Sequence, residues 1–362
     1  MQDNNTVSAA GGFPSENRPP GRIEFDIPFP PRMNPHLARA NTHLISWLTD
    51  FDLLRSPEAT EHFLSWRPAE LPARWYPDAL ADDLEFATDL LGWLMLLDDQ
   101  FDGDMGHRPD AVTRILAPLT GVFDRRQGDR HAPPPGSSSA ARNALADLWA
   151  REQTGMSTAW KERAARNWRD YLMSFVSEAD NRRKGHVPDT AEYLALRNRT
   201  GIMYVLLDAA ERIGRYEVPP PIYHSGPFQE MYGLTVLVAG IVNDLLGLEK
   251  EEARGDPHNL VLVLQHQWSC PRPQALARAV GMIREWTDRF LRLEARIPGV
   301  CDRLGIAPAD RTDGYRLIAD MRAAMRASYD WCAVSNRYSA ESIALLSASG
   351  CLDDIVTAPP AR

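Results

Sequence analysis

The sequence predicts an all-α single domain, and three observations carry that expectation. Apolar residues recur every three or four positions over seven long stretches, hardly any run shows the period-two alternation of a strand, and clusters of Pro, Gly and Ser separate the stretches. No self-similar period of 20 to 50 residues is present, which disfavours a stacked repeat and points to a compact bundle. At 362 residues and 44% hydrophobic, the chain can bury a sizeable core.

Taken in order, residues 1–22 are rich in Asn, Gly, Ser and Pro and read as a flexible arm. Helical periodicity then covers about 35–54 and 79–101; in the second stretch Leu84, Ala87, Leu91 and Leu94 define one inward face. RRQGDRHAPPPGSSSAAR, Arg125 to Arg142, breaks any helix and reads as a long surface loop. Stretches 152–181 and 189–213 follow, and EVPPP at Glu217 to Pro221 marks a joint. The next, 227–252, begins apolar almost all round, as a buried helix does. After a second joint, SCPRP at Ser269 to Pro273, come 272–296 and 310–348, so the domain proper spans 23–350 and residues 351–362 form a tail.

Composition narrows the function classes. Asp and Glu exceed Lys and Arg by 49 to 40, a formal charge of −9 that argues against a nucleic-acid partner. Cys270, Cys301, Cys332 and Cys351 are scattered, with no CxxC and no zinc-ligand spacing, and read as reduced thiols. The N-terminus lacks the basic start and apolar run of a signal peptide, and no 18-residue apolar run is expected elsewhere; a cytoplasmic protein without a membrane span follows.

One stretch raises a question of charge. LLDDQFDGD, Leu96 to Asp104, crowds Asp98, Asp99, Asp102 and Asp104 at the end of an apolar helix, where like charges repel unless cations are supplied. Asp98 continues the Leu84, Ala87, Leu91, Leu94 series, and Asp102 lies four residues on, about 6 Å along the axis on nearly the same face. Both therefore emerge where the buried stripe ends, facing the mouth of the core. The pairs Asp82-Asp83 and Asp353-Asp354 lack a third carboxylate three residues on and are assigned to ordinary surface.

A second acidic site lies in VAGIVNDLLGLEKEEARGD, Val238 to Asp256, where Asn243, Gly247 and Glu251 stand at i, i+4 and i+8 on one helix face. An amide oxygen and a carboxylate, with room at the glycine between them, form a hard-oxygen site suited to Mg²⁺, which keeps waters and takes phosphate as co-ligand. Lys250 beside it can meet that phosphate.

With DDQFD at Asp98 to Asp102 and NDLLGLEKE at Asn243 to Glu251, the chain resembles the bacterial class I terpene synthases. EADNRRKGHVPDTAEYLALRNRTG, Glu178 to Gly201, is similar to the family segment before the kink of its central helix. VSNRY, Val334 to Tyr338, is similar to the family's C-terminal Arg-Tyr pair, and the whole resemblance covers about residues 35–340. It implies a helical bundle around a central apolar cavity. It also implies that Arg197, 46 residues before Asn243, senses the diphosphate, with Thr200 as linker and Gly201 as effector whose backbone carbonyl assists ionisation. Thr200 departs from the acidic linker common elsewhere, and Gly247 from the usual serine or threonine; a water can stand in for that hydroxyl, so Gly247 is read as a space.

The resemblance further implies a Mg²⁺-dependent cyclase in which Asp98 and Asp102 hold two of three ions and Asn243 and Glu251 the third. Arg197, Lys250, Arg337 and Tyr338 then bind the diphosphate, and Asp99 pairs with an arginine on closure. Leu94 and Trp331 are candidate cavity walls, the indole being able to stabilise cation by its ring face. His258 in GDPHNLV is read as closing a loop. The expected substrate is farnesyl diphosphate and the product a sesquiterpene, made by a monomer or homodimer, with geranyl or geranylgeranyl diphosphate as alternatives. A chain-elongating synthase would need a second DDxxD, and a non-catalytic helical binding protein would not need Arg197 and Arg337.

Overall fold

Capping residues at the joints fix where several helices begin. The computed structural model describes residues 23–124, 139–339, 342 and 354–356. It contains α1 (Leu37–Asp50), α2 (Pro57–Ser65), α3 (Glu70–Trp75), α4 (Ala81–Gln100), α5 (Pro109–Thr120), α6 (Ala140–Glu152), α7 (Thr158–Lys184) and α8 (Thr190–Thr200). These are followed by α9 (Met203–Ile213), α10 (Pro220–Tyr223), α11 (Gly226–Arg254), α12 (Leu260–Trp268), α13 (Arg272–Glu294), α14 (Ile297–Arg303) and α15 (Thr312–Cys332). No strand occurs among the described residues. Ser56, Ser139 and Ser157 each accept a first-turn backbone N–H at α2, α6 and α7, and Asp189 with Glu192 closes a capping box on α8. Gly185 and Gly255 end α7 and α11 in the left-handed conformation, at φ 61° and 66°.

The arm 1–22, residues 125–138 of the expected surface loop, and most of the tail 351–362, with Cys351 and Asp353, lie outside the described residues. Four boundaries differ from expectation. The loop expected over 125–142 gives way to helix from Ala140, because Ser139 caps it. Stretch 189–213 is two helices, broken at Gly201 and at Ile202, which holds φ 50°. Stretch 310–348 stops at Cys332, where Ser335 turns the chain into a 3₁₀ turn, Asn336–Tyr338, by accepting the Arg337 N–H. The fourth is at α4, which ends at Gln100, so Asp102 sits in the following turn, with its N–H on the Asp99 carbonyl. The short α2, α3, α5, α6, α12 and α14 were not anticipated, since six to thirteen residues between joints carry too few turns to show a period.

α11 forms the centre of the bundle, packing on α13 and α15 and touching α8, α9 and α12. By length and composition α11 is apolar enough to cross a membrane, but 78% of its apolar 18-residue stretch is buried inside the fold, as in a core helix. α4 packs on α1, α3, α6 and α9, and the cavity lies between α4 and α11.

The assignment of Asp82-Asp83 to ordinary surface is corrected. Asp82 is exposed beside Arg39, but Asp83 is buried and bridges Arg212 and Arg215 at 2.9 and 2.8 Å, tying α4 to the end of α9. A buried carboxylate needs such partners. A periodicity argument sees the charge but not the arginines that arrive from far along the chain. Asp354, of the other pair, is exposed.

Candidate active site

Three helix ends and one turn converge on the cavity. α4 and the turn after it deliver Asp98 and Asp102; α11 delivers Asn243, Lys250, Glu251 and Arg254; the break between α8 and α9 delivers Arg197, Thr200 and Gly201; the turn after α15 delivers Arg337 and Tyr338. Below this polar mouth the wall is apolar, formed by Trp75, Leu91, Leu94, Met95, Leu206 and Trp331. The cleft holds about 1100 Å³ of atom-free space, open mouth included.

The polar groups of the mouth are matched in opposite pairs. Arg337 donates to Asp98 at 2.6 Å, and Lys250 to Asp102 at 2.8 Å. Arg254 bonds to Asp102 and approaches Asp99 at 3.6 Å. On the opposite helix, one Arg197 nitrogen reaches the Gly240 carbonyl at 3.0 Å, Asn243 Oδ1 at 2.8 Å and Asp244 at 2.9 Å. The amide nitrogen of Asn243 donates to the Tyr338 hydroxyl at 2.6 Å. Arg197 has its close approach because residue 240 is glycine: a Cβ there would lie 3.2 Å from the Arg197 Nε.

Burial opposes ionisation of Asp102, yet Lys250 and Arg254 more than offset it and hold its carboxyl well below the usual range. Burial and then the neighbouring Asp102 push Asp99 up, and burial pushes Glu251 up to about 8. Glu251 accepts only a 3.2 Å bond, from the Asn259 amide. Burial works against the charge of Arg197 and Arg337, but Asp244 and Asp98 raise both above the ordinary guanidinium value.

The carboxylates, amide and guanidiniums fit a divalent cation with a phosphate co-ligand. Among the described residues, the Nε atoms of Arg197 and Arg337 and Oδ1 of Asp99 are buried with no hydrogen-bond partner. Among the described residues no three His, Cys, Asp or Glu side chains form a ready-made metal cage. Gly247 lies on the same face as Asn243 and Glu251, but its space is taken by the Glu251 carboxylate, 3.0 Å from where a Cβ would stand.

Several site residues escape a reading by motif. Arg254 lies four residues after Lys250, so helical spacing alone could have found it. Asp244 is buried and accepts from Tyr193, Arg197 and the Leu260 N–H, fixing Arg197 from behind. Glu178, Arg182, Asp256 and His258 line the same mouth as one network. Arg182 bonds to Asp256 at 2.6 Å, and His258 to Asp256 at 2.6 Å and Asn181 at 3.2 Å, which matches a loop-closing role for the histidine.

A family model described as "Terpene synthase family 2, C-terminal metal binding" matches residues 89–289. Pentalenene synthase of Streptomyces arenae is 34% identical over 339 residues, covering 93% of this chain and 98% of the relative. A (−)-β-caryophyllene synthase of Saccharothrix espanaensis, whose name specifies cyclisation of (2E,6E)-farnesyl diphosphate, is 34% identical over 93% of this chain and 94% of its own length. Among solved structures, germacradien-4-ol synthase from Streptomyces citricolor superposes with a TM-score of 0.75 at 30% identity, covering 85% of this chain and 97% of that one.

Proposed function

This chain belongs to terpene synthase family 2, and from that premise we propose that it ionises farnesyl diphosphate and cyclises the resulting cation to a sesquiterpene, releasing diphosphate, as a soluble cytoplasmic enzyme. The observation that carries the reading is the pairing at the cavity mouth. Carboxylates 98 and 102 and the Asn243/Glu251 face stand around four cations, Arg197, Lys250, Arg254 and Arg337, directly above an apolar wall. A trianionic head and a hydrocarbon tail match that division.

The family's metal-binding domain implies a divalent ion; we assign Mg²⁺, three ions with bound diphosphate, to Asp98 and Asp102 on one side and Asn243 and Glu251 on the other. When bound, the ions supply Lewis acidity that neutralises the leaving group. The chain's own residues do the rest. Arg197, Lys250, Arg254 and Arg337 take up the diphosphate charge as the allylic C–O bond breaks, the guanidiniums by planar forks that meet two phosphate oxygens. Tyr338 adds a hydroxyl, and Thr200 and Gly201 bring the helix break to the same point. Trp75, Leu94, Leu206 and Trp331 exclude water and shape the chain, with the Trp331 ring face stabilising cation.

Incubation with farnesyl, geranyl and geranylgeranyl diphosphates and Mg²⁺ under an organic overlay, followed by volatile analysis, tests the reading. A cyclic C15 product that disappears on exhaustive chelation is expected. A C10 or C20 product alone would reassign the chain length, and no product from any of the three would leave a binding protein.

A further inference from the structure

We propose that Trp66, in the loop between α2 and α3, is a positioning residue for diphosphate recognition, holding Arg337 and its turn in register; this rests on the function proposed above. Trp66 is buried, and its ring carries the Arg337 guanidinium 5.0 Å from the ring centroid. Its backbone carbonyl accepts two further bonds, from the Trp331 indole N–H at 3.0 Å and from the Ser335 hydroxyl at 2.8 Å. Ser335 caps the 3₁₀ turn Asn336–Tyr338, and Trp331 packs edge-on against Tyr338 at 6.0 Å. One residue thus touches the diphosphate arginine, the cavity-wall indole and the cap that sets both site side chains of the turn.

The arrangement explains how Arg337 stays aimed although, among the described residues, only one of its nitrogens is bonded. Its Nη2 meets Asp98 at 2.6 Å, while its Nε is buried and unpartnered. A long side chain with a single ion pair retains rotational freedom, and a flat aromatic face removes most of it. Trp66 itself is wedged by His62 and Phe63, at 5.3 and 5.5 Å between ring centroids, so the face is rigid. The carbonyl bonds depend on the loop backbone, and the ring contact depends on the side chain. A substitution at 66 therefore separates the two.

The test is a double-mutant cycle of Trp66→Leu with Arg337→Gln, read by calorimetric binding of inorganic pyrophosphate with Mg²⁺ and by kcat/KM on farnesyl diphosphate. In the parent, Trp66→Leu is expected to weaken pyrophosphate binding about fivefold, the size of a modest cation–π contact. On the Arg337→Gln background it should cost less than half that factor. Trp66→Phe, which keeps a ring, should restore most of the loss. Equal losses on both backgrounds, or parent-like binding by Trp66→Leu, overturn the proposal. Should the leucine variant not fold, Trp66→Phe is read alone: a loss of about twofold that vanishes with Arg337→Gln supports the proposal, and no loss overturns it. A parent protein that neither binds pyrophosphate nor turns over prenyl diphosphate would instead sink the function from which the proposal starts.

Discussion

Gly240→Ala sets helix stability against site geometry. Alanine inside α11 should favour the helix by about 1 kcal/mol over glycine. Yet the new Cβ would stand 3.2 Å from Nε and 3.4 Å from Cγ of Arg197, so the side chain must retreat by a few tenths of an ångström. Arg197 is not free to do so without loss, because one of its nitrogens serves Gly240, Asn243 and Asp244 at 3.0, 2.8 and 2.9 Å. Hydrogen bonds involving a charge contribute about 1.5–3 kcal/mol each. Lengthening two of them by that shift should remove on the order of 1.4 kcal/mol from the transition state, about tenfold in kcat/KM. Steady-state kinetics on farnesyl diphosphate beside thermal unfolding separate the effects: the melting temperature should hold or rise while kcat/KM falls. Parent-like kcat/KM in a variant as stable as the parent would show that the position of Arg197 against α11 does not matter to ionisation.

Three further outcomes are expected. Arg197→Lys keeps charge but loses the planar fork, so kcat/KM should fall at least about tenfold, roughly 1.4 kcal/mol; parent-like kinetics in a folded variant would remove Arg197 from the site. Gly247→Ser should only nudge the Glu251 carboxylate 3.0 Å away and stay within a few-fold of parent activity, whereas Gly247→Leu displaces it and should be nearly inactive though folded. Equal activity of the two across a magnesium titration would remove that helix face from the metal site. Glu152, far from the mouth, is pushed up to about 8 by burial, bonds only to the Trp168 indole at 2.9 Å, and leaves its other oxygen unpaired. Its native form binds a proton that the unfolded chain releases near pH 4.5, so its contribution is full below that pH and is lost as pH rises towards 8. Glu152→Gln should flatten the fall of stability between pH 5 and 8, by at most about 4 kcal/mol across that window, and denaturant melts with the same slope in both proteins would refute this.

The helical class, the long helices and the two candidate metal-binding faces can be read from the amino-acid order alone. Period 3.6 is a local property, legible wherever a helix exceeds five turns, as in α4, α7, α11 and α13. DDQFD and NDLLGLEKE were legible for the same reason, since their spacing within one helix or turn fixes which side chains share a face. Arg197 and the Arg-Tyr pair came from resemblance, because nothing local distinguishes either arginine from the many on the surface. Only the tertiary structure decided which charges meet. Asp83 shares its adjacency with Asp98 and Asp99, yet it is buried against Arg212 and Arg215, 129 and 132 residues away. Arg337 finds Asp98 across 239 residues and Trp66 beside it. Periodicity reports the face a side chain presents, whereas the partner that makes a buried charge tolerable is supplied by packing, and packing joins positions whose separation in the chain carries no signal.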